Sequence, residues 1–185
     1  MLKTDITYTR ATTDHELREI LALQRQNIPK NLSEDELKKE GFLTAQHTFD
    51  SLKRINIACP HIIAKHNNSV VGYALCMLND FRKDVPMLKP MFDYLDFVIE
   101  REELSHLNYI IMGQVCVSKA YRKQGIFRGL YKTMKTTLQN KFDAIITEVN
   151  AKNKRSSEAH KAIGFEILDV HTENDEDWEL IIMRL

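Results

Sequence analysis

The chain has little of what small scaffolds use as covalent or metal staples. Its 185 residues include three cysteines, Cys59, Cys76 and Cys116, with no C-x-x-C pair and an odd count. A disulfide framework is therefore not expected. Cys76 and Cys116 sit in apolar segments, where a thiol acts as a small hydrophobe. Histidines are scattered, and the near neighbours His61 and His66 would point to opposite faces of an extended segment, so no metal site is expected. Charge of one sign is also missing: 26 basic and 26 acidic side chains cancel. That excludes binding of nucleic acid through a general positive field, but not a local basic site for one charged ligand. Long apolar runs are absent too. Residues 69–78 form one of the longest, far short of the roughly 20 needed to span a bilayer. Residues 1–15 are polar and lack a signal-peptide core. The expectation is a soluble, cytoplasmic protein with no membrane partner. There is no repeat, low-complexity tract or Gly/Ser linker. The length suits a single domain over residues 1–185, able to bury its own core.

What is present is a run of helices and strands in alternation. Residues 6–10 alternate as a short strand. Thr12 or Thr13 precedes a helix whose apolar positions are Leu17, Ile20 and Leu21, with Glu16 placed for a capping box with Thr13 and Pro29 marking the end. Ser33, followed by Glu34, Asp35 and Glu36, reads as a further helix start. Residues 45–56 carry Phe49, Leu52 and Ile55 on one helical side, and Pro60 breaks the pattern. Residues 61–65 and 70–78 are strands, joined by a tight hairpin at Asn67-Asn68, because Asn tolerates positive φ. Residues 86–103 form an amphipathic helix, with Leu88, Met91, Phe92, Leu95, Val98 and Ile99 in one stripe. Strands at 109–117 and 144–149 flank a helix at 125–140. A helix at 154–163 ends on Gly164, a natural C′ residue. Strands at 166–170 and 178–183 close the chain. This order predicts a mixed α/β sheet.

The most informative stretch is the end of the 109–117 strand. A basic turn follows it: Arg122, Lys123, Gln124, Gly125, Ile126, Phe127, Arg128. A helix begins inside that turn. The first backbone N–H groups of a helix are unpaired, and the macrodipole adds positive charge, so such a start binds anions. Gly125 leaves the backbone open to a phosphate, and Arg122, Lys123 and Arg128 add full charges. The physical reading is a pyrophosphate cradle. The stretch contains no G-x-x-x-x-G-K-[ST] loop and no G-x-G-x-x-G fingerprint.

Arg122-Lys123-Gln124-Gly125 before a helix resembles the [Q/R]-x-x-G-x-[G/A] acetyl-coenzyme A loop of the GNAT N-acetyltransferase superfamily. A second block agrees. Asn150, Asn153 and Ser156, then His160 four residues before Gly164-Phe165, resemble the family's strand-Asn-x-x-Asn-x-x-[A/S] stretch and its aromatic position before Gly-Phe. Both blocks lie within residues 109–166. The resemblance implies a GNAT-like, mostly antiparallel central sheet of about six or seven strands flanked by helices. Residues 79–108 then form a helical insertion between the third and fourth strands. Two departures stand out: Phe127 replaces the second small residue of the loop, and His160 replaces the usual tyrosine.

The resemblance implies direct acetyl transfer from acetyl-coenzyme A, as co-substrate, to an amine on a small molecule or peptide. Backbone groups of Val115, Cys116 and Val117 would then hold the thioester, with Gly113 marking a bulge that splays the strand. Asn150, Asn153 and Ser156 would wall the cofactor. His160 takes the place of the thiolate's proton donor, since an imidazole titrating near 6.5 donates near neutral pH. The 109–117 strand carries no carboxylate or histidine to act as base. Glu148, on the neighbouring strand, is the nearest carboxylate; water is the alternative base, and Cys116 an acyl carrier without an evident activator. The missing base keeps a rival reading open, a catalytically degenerate acyl-coenzyme A binding or regulatory domain. The sequence is compatible with a monomer or an oligomer and does not specify the acceptor.

Overall fold

The computed structural model describes residues 5–33, 43 and 45–185. The sheet grows from an antiparallel meander. β1 (Thr7–Arg10) leads into helix α1 (Asp14–Gln26), which opens on the expected capping box. The Glu16 N–H donates to Thr13 Oγ1 at 3.2 Å, and Glu16 Oε2 accepts from the N–H groups of Thr13 at 3.0 Å and Thr12 at 2.8 Å. Helix α2 (Phe49–Ala58) starts later than the sequence pattern places it, because Thr48 caps it through the Ser51 N–H. β2 (Ile62–His66) and β3 (Ser69–Met77) form the expected hairpin, with Asn67 and Asn68 at φ 48° and 66°. Positive φ at both central residues matches the turn's twist to that of the strands. The helix start expected at Ser33 runs into residues outside those described.

Helix α3 (Lys89–Arg101), preceded by 3-10 turns, fills the connection from β3 to β4 (Tyr109–Val117). Helix α4 (Ile126–Leu138), β5 (Ala144–Asn150) and helix α5 (Lys154–Lys161) follow. β6 (Glu166–Glu173) and β7 (Glu176–Arg184) end the chain. These last strands are longer than the pattern predicts. Asn174 and Asp175, at φ 50° and 60°, make a two-residue turn that brings residues 171–173 and 176–177 into the ladder.

The seven strands lie in the order β1-β2-β3-β4-β5-β7-β6, so the expected mixed, mostly antiparallel sheet is present. Among the described residues, every neighbouring pair is antiparallel except β4 and β5. Alternation along the strands sends two sets of side chains to two faces. Tyr73, Leu75 and Cys116 pack against α1 and α2, and Met77, Ile111, Ile146 and Leu180 against α3. Ala74, Cys76, Ile145 and Ile181 pack with Leu130, Tyr131 and Met134 of α4 on the opposite face. Gly129 of α4 lies against Tyr8 of β1, where a Cβ would collide with the phenol ring.

Glu16 ties the first helix to the sheet. Its carboxylate also takes the Lys65 ammonium at 2.9 Å. Burial opposes ionisation, but Lys65 and the two backbone N–H donors outweigh it and hold the carboxyl at about 2. The folded value lies below the unfolded value of about 4.3, so the stabilisation is present above that pH and lost as pH falls toward 2. Glu16→Gln should therefore cost about 2 kcal/mol at pH 7 and about half of that at pH 3, read from urea midpoints at both pH values.

Candidate active site

The site exists because β4 and β5 part company. Their parallel pairing covers Tyr109–Ile111 against Ala144–Ile146 and goes no further. A last link, Thr147 Oγ1 donating to the Met112 carbonyl at 2.8 Å, closes the joint. Beyond it β4 pairs with β3, and β5 with β7. The register explains the divergence. Ala74 faces Val115, yet Cys76 faces Met112, so β4 carries one extra residue between them. That bulge lies at Gly113–Gln114, at the glycine the sequence singles out.

Gln114 holds the bulge in place. Its Oε1 accepts from Gln24 Nε2 at 2.9 Å and from the Tyr73 hydroxyl at 2.6 Å, and its Nε2 donates to the Ala45 carbonyl at 2.8 Å. A buried amide satisfied on both sides rigidifies its surroundings.

The gap exposes backbone. The Ser118 N–H donates to the Val71 carbonyl across the β3–β4 ladder. By antiparallel alternation, the N–H and C=O of Val117 and Val115 then face away from β3, into the gap. Cys116 also lines the cleft, but its own N–H and C=O face β3. Its side chain packs with the α1 cluster, and burial pushes the thiol up to about 12. That value removes the thiolate needed for an acyl carrier and corrects that alternative.

A cleft of about 330 Å³ follows the gap to the start of α4. Its wall includes Val115, Val117, Arg122, Lys123, Gly125, Ile126, Phe127, Arg128, Asn153 and Ser156. Gly125 caps α4 at φ 80°, and a Cβ there would meet nothing within 4 Å. The first bond of the α4 ladder runs from the Gly129 N–H to the Gly125 carbonyl, leaving the N–H groups of Ile126, Phe127 and Arg128 outside it. The turn is thus a cradle open on the cleft side.

Of the other expected cofactor residues, Arg122, Phe127 and Asn153 line the cleft, and Gln124 and Asn150 do not. Arg122 serves the frame of the turn: Nε donates to the Val117 carbonyl at 3.2 Å and Nη2 to Asn27 Oδ1 at 2.7 Å. Gln124 is exposed and donates to the Ala120 carbonyl, away from the cleft lining. Asn150 donates to Glu176 and accepts from the Lys152 N–H, which shapes the turn before α5. Asn153 caps α5 through the Ser156 N–H. Phe127 lies on the cleft wall with its ring 5.0 Å from those of Tyr131 and His160.

His160 differs most from its sequence reading. It is 1% exposed, enclosed by Phe127, Tyr131 and Phe165. Its Nδ1 lies 2.7 Å from the Ser156 carbonyl, which only accepts, so the ring proton is on Nδ1. Nε2 then accepts from the Tyr131 hydroxyl at 2.7 Å. Burial lowers its pKa to about 4, against the pull of the Ser156 carbonyl. The imidazole is therefore neutral near pH 7, which corrects the expectation of a donor titrating near 6.5. Ser156 Oγ stands 3.4 Å from Nδ1, and Ser156 lines both the cleft and a smaller neighbouring cavity.

That cavity, about 70 Å³, lies on the other side of the β4–β5 gap. Met112, Gly113, Gln114, Glu148, His160 and Trp178 are in its wall. Glu148 brings the carboxylate missing from β4. Burial raises its pKa to about 7, with the charge of Glu173 adding to the effect. Cleft and cavity meet at Val115 and Ser156, so a chain-like anion in one and an amine in the other would touch there.

The signature of the Acetyltransferase (GNAT) family matches residues 17–165. The chain belongs to the GNAT acetyltransferase family. Solved structures of similar fold agree. The structure of yncA, a putative acetyltransferase from Salmonella typhimurium, with its cofactor acetyl-CoA is 13% identical, with 98% of this chain and 94% of that one covered at a TM-score of 0.64. A phosphinothricin acetyltransferase from Sinorhizobium meliloti in complex with AcCoA is 16% identical, covering 97% and 88% at 0.62. The NatC complex bound to Gag peptide and CoA contains a chain 15% identical, covering 98% and 99% at 0.65. Among curated proteins compared by sequence, none matches.

The glycines at the cradle make opposite predictions. Gly125→Val strains a positive φ and fills the open side of the turn, so it should abolish the rise in melting temperature expected on adding acetyl-CoA. Gly129→Ala, which collides with Tyr8, should lower the melting temperature itself and leave the ligand-induced rise in place. Thermal melts of both variants with and without acetyl-CoA check this.

Proposed function

We propose that this GNAT protein transfers the acetyl group of acetyl-CoA directly to an amine bound in the Glu148 cavity. The observation carrying this reading is the joint of cleft and cavity at the splayed β4–β5 gap, with an anion cradle on one side and a buried carboxylate on the other. The α4 N–H groups and Lys123 and Arg128 would hold the pyrophosphate, where backbone donors and the helix dipole favour negative charge. Val115 and Val117 would hold the thioester end by their backbone groups, and a fixed N–H stabilises an oxygen on which charge develops.

Glu148 takes the proton from the amine. A general base works best when its pKa lies near the working pH, and burial has brought this carboxyl to about 7. Ser156 lines both spaces, and its hydroxyl donates toward the departing sulfur. His160 acts behind it as a positioning residue, holding Ser156 and the Phe127 wall.

The raised Glu148 carboxyl supports transfer over the rival reading of a degenerate binding domain, since shifted proton affinities cluster at functional sites. The sign follows from the role: the base must be ionised, so kcat/KM should rise as pH passes through about 7. Glu148→Gln should lower kcat by roughly 10²–10³-fold and remove that limb. His160→Ala should lower kcat by roughly tenfold and leave the limb where it is, because the imidazole stays neutral across this range. The measurement is a pH–rate profile, following free coenzyme A release with a panel of small and peptide amines. Acetyl-CoA binding without turnover on any amine would return the protein to the binding-domain reading.

A further inference from the structure

Glu148 is not alone at the cavity. The two-residue turn at Asn174-Asp175 lengthens β6 and sets His171 opposite Trp178 of β7. Glu148 of β5 stands opposite Leu180 of the same β7. Trp178 and Leu180 are two apart, so all four side chains share one sheet face, the face that α3 covers. Across it, His171 Nε2 lies 3.4 Å from Glu148 Oε1, with the two side chains 10% and 9% exposed.

Among the described residues, Glu148 Oε1 and both ring nitrogens of His171 find no hydrogen-bond partner. Buried polar atoms are paired in nearly all native structures, and an unpaired one marks a missing proton, water or ligand. Here a single proton between Oε1 and Nε2 satisfies both. The surroundings hold the imidazole in place. The Tyr94 ring of α3 stacks on it at 3.7 Å between centroids and 23° between planes. Tyr94 is itself held by its hydroxyl, which donates to Asp169 at 2.7 Å, and Asp169 also takes Arg101 at 2.7 Å. Burial lowers the His171 pKa, against the pull of Glu173 and Asp169 on β6. These groups, with Glu148 on β5 and Tyr94 and Arg101 on α3, are the charged and titratable neighbours of His171.

We propose that Glu148 and His171 work as one proton acceptor for the acceptor amine, with His171 a positioning residue that acts through Glu148. The step balances simply. The amine's N–H bond breaks, and its electron pair stays on nitrogen for the attack. The proton bonds to the Glu148 carboxylate, passes to Nε2, and leaves to solvent once the product has gone. The stacked Tyr94 keeps the ring edge toward Glu148. The proposal rests on the acetyltransferase reading, but one of its tests does not.

That test is an NMR titration of the His171 imidazole, assigned with His171→Gln and recorded without acetyl-CoA or amine. In Glu148→Gln the His171 pKa should fall by roughly one unit or more, the effect of removing a carboxylate within about 4–6 Å. An unchanged His171 titration overturns the pair. The second test is the pH–rate profile of His171→Gln. Its amide donates to the ionised carboxylate, so the acid limb should move to lower pH by at least about half a unit, with kcat roughly tenfold lower and the KM for acetyl-CoA unaltered. A uniform loss of rate with an unmoved limb means a merely structural histidine and overturns the proposal. Tyr94→Leu, which frees the ring without touching the pair, should shift the limb in the same direction and serves if His171→Gln is poorly folded. Absence of acetyl transfer by the unaltered protein would sink the enzymatic reading, while the NMR comparison decides the pairing by itself.

Discussion

Everything the site does depends on one missing strand pairing. β4 and β5 share three residue pairs and then diverge, because a bulge at Gly113–Gln114 turns β4 away. Backbone N–H and C=O groups inside a sheet are normally consumed by the ladder. Here the N–H groups of Val115 and Val117 and the Val115 carbonyl face the gap, while Arg122 takes the Val117 carbonyl, and a sheet interior becomes a binding cleft. The cost of leaving such groups unpaired is tolerable only where water or a ligand can reach them.

The rest of the structure works to keep that gap open and shaped. Gln114 would relax toward a regular ladder were it not held on both sides by Gln24, Tyr73 and the Ala45 carbonyl. Arg122 ties the end of β4 to Asn27 at the end of α1, fixing where α4 starts relative to the gap. On the far side, Tyr131 and Phe165 seat His160, and His160 seats Ser156. Polar groups buried in this way keep fixed directions, and preorganisation of this kind is what a transfer reaction requires.

The connection from β3 to β4 has a part in this arrangement. Helix α3 buries Met91, Phe92, Leu95 and Val98, which is ordinary core packing. Its polar side then brings Tyr94 and Arg101 onto β6, anchored at Asp169. One helix thus closes the core and orders the side chains beside Glu148. The core stripe of the helix and the side that reaches β6 lie on different faces.

Local chemistry was legible in the sequence. The capping box at Thr13, the Asn67-Asn68 turn, the Gly125 helix start and the spacing from Asn150 to Phe165 depend on neighbours within a few residues, so composition and spacing suffice to determine them. The bulge was legible in part, through a glycine inside an apolar strand. What the sequence did not determine was which distant side chains would meet. Arg122 reads as a phosphate ligand, and the fold sets it in the cleft wall while also tying it to Asn27 and Val117. His160 reads as a titrating donor until Phe127, Tyr131 and Phe165 bury it and lower its pKa. His171 was invisible as a site residue because the Asn-Asp turn that extends β6 was not read, and its contact with Glu148 crosses an intervening strand. Burial and charge proximity set proton affinities, and both are properties of the packed molecule: the chain alone specifies the groups, and only tertiary structure decides which of them can hold a proton.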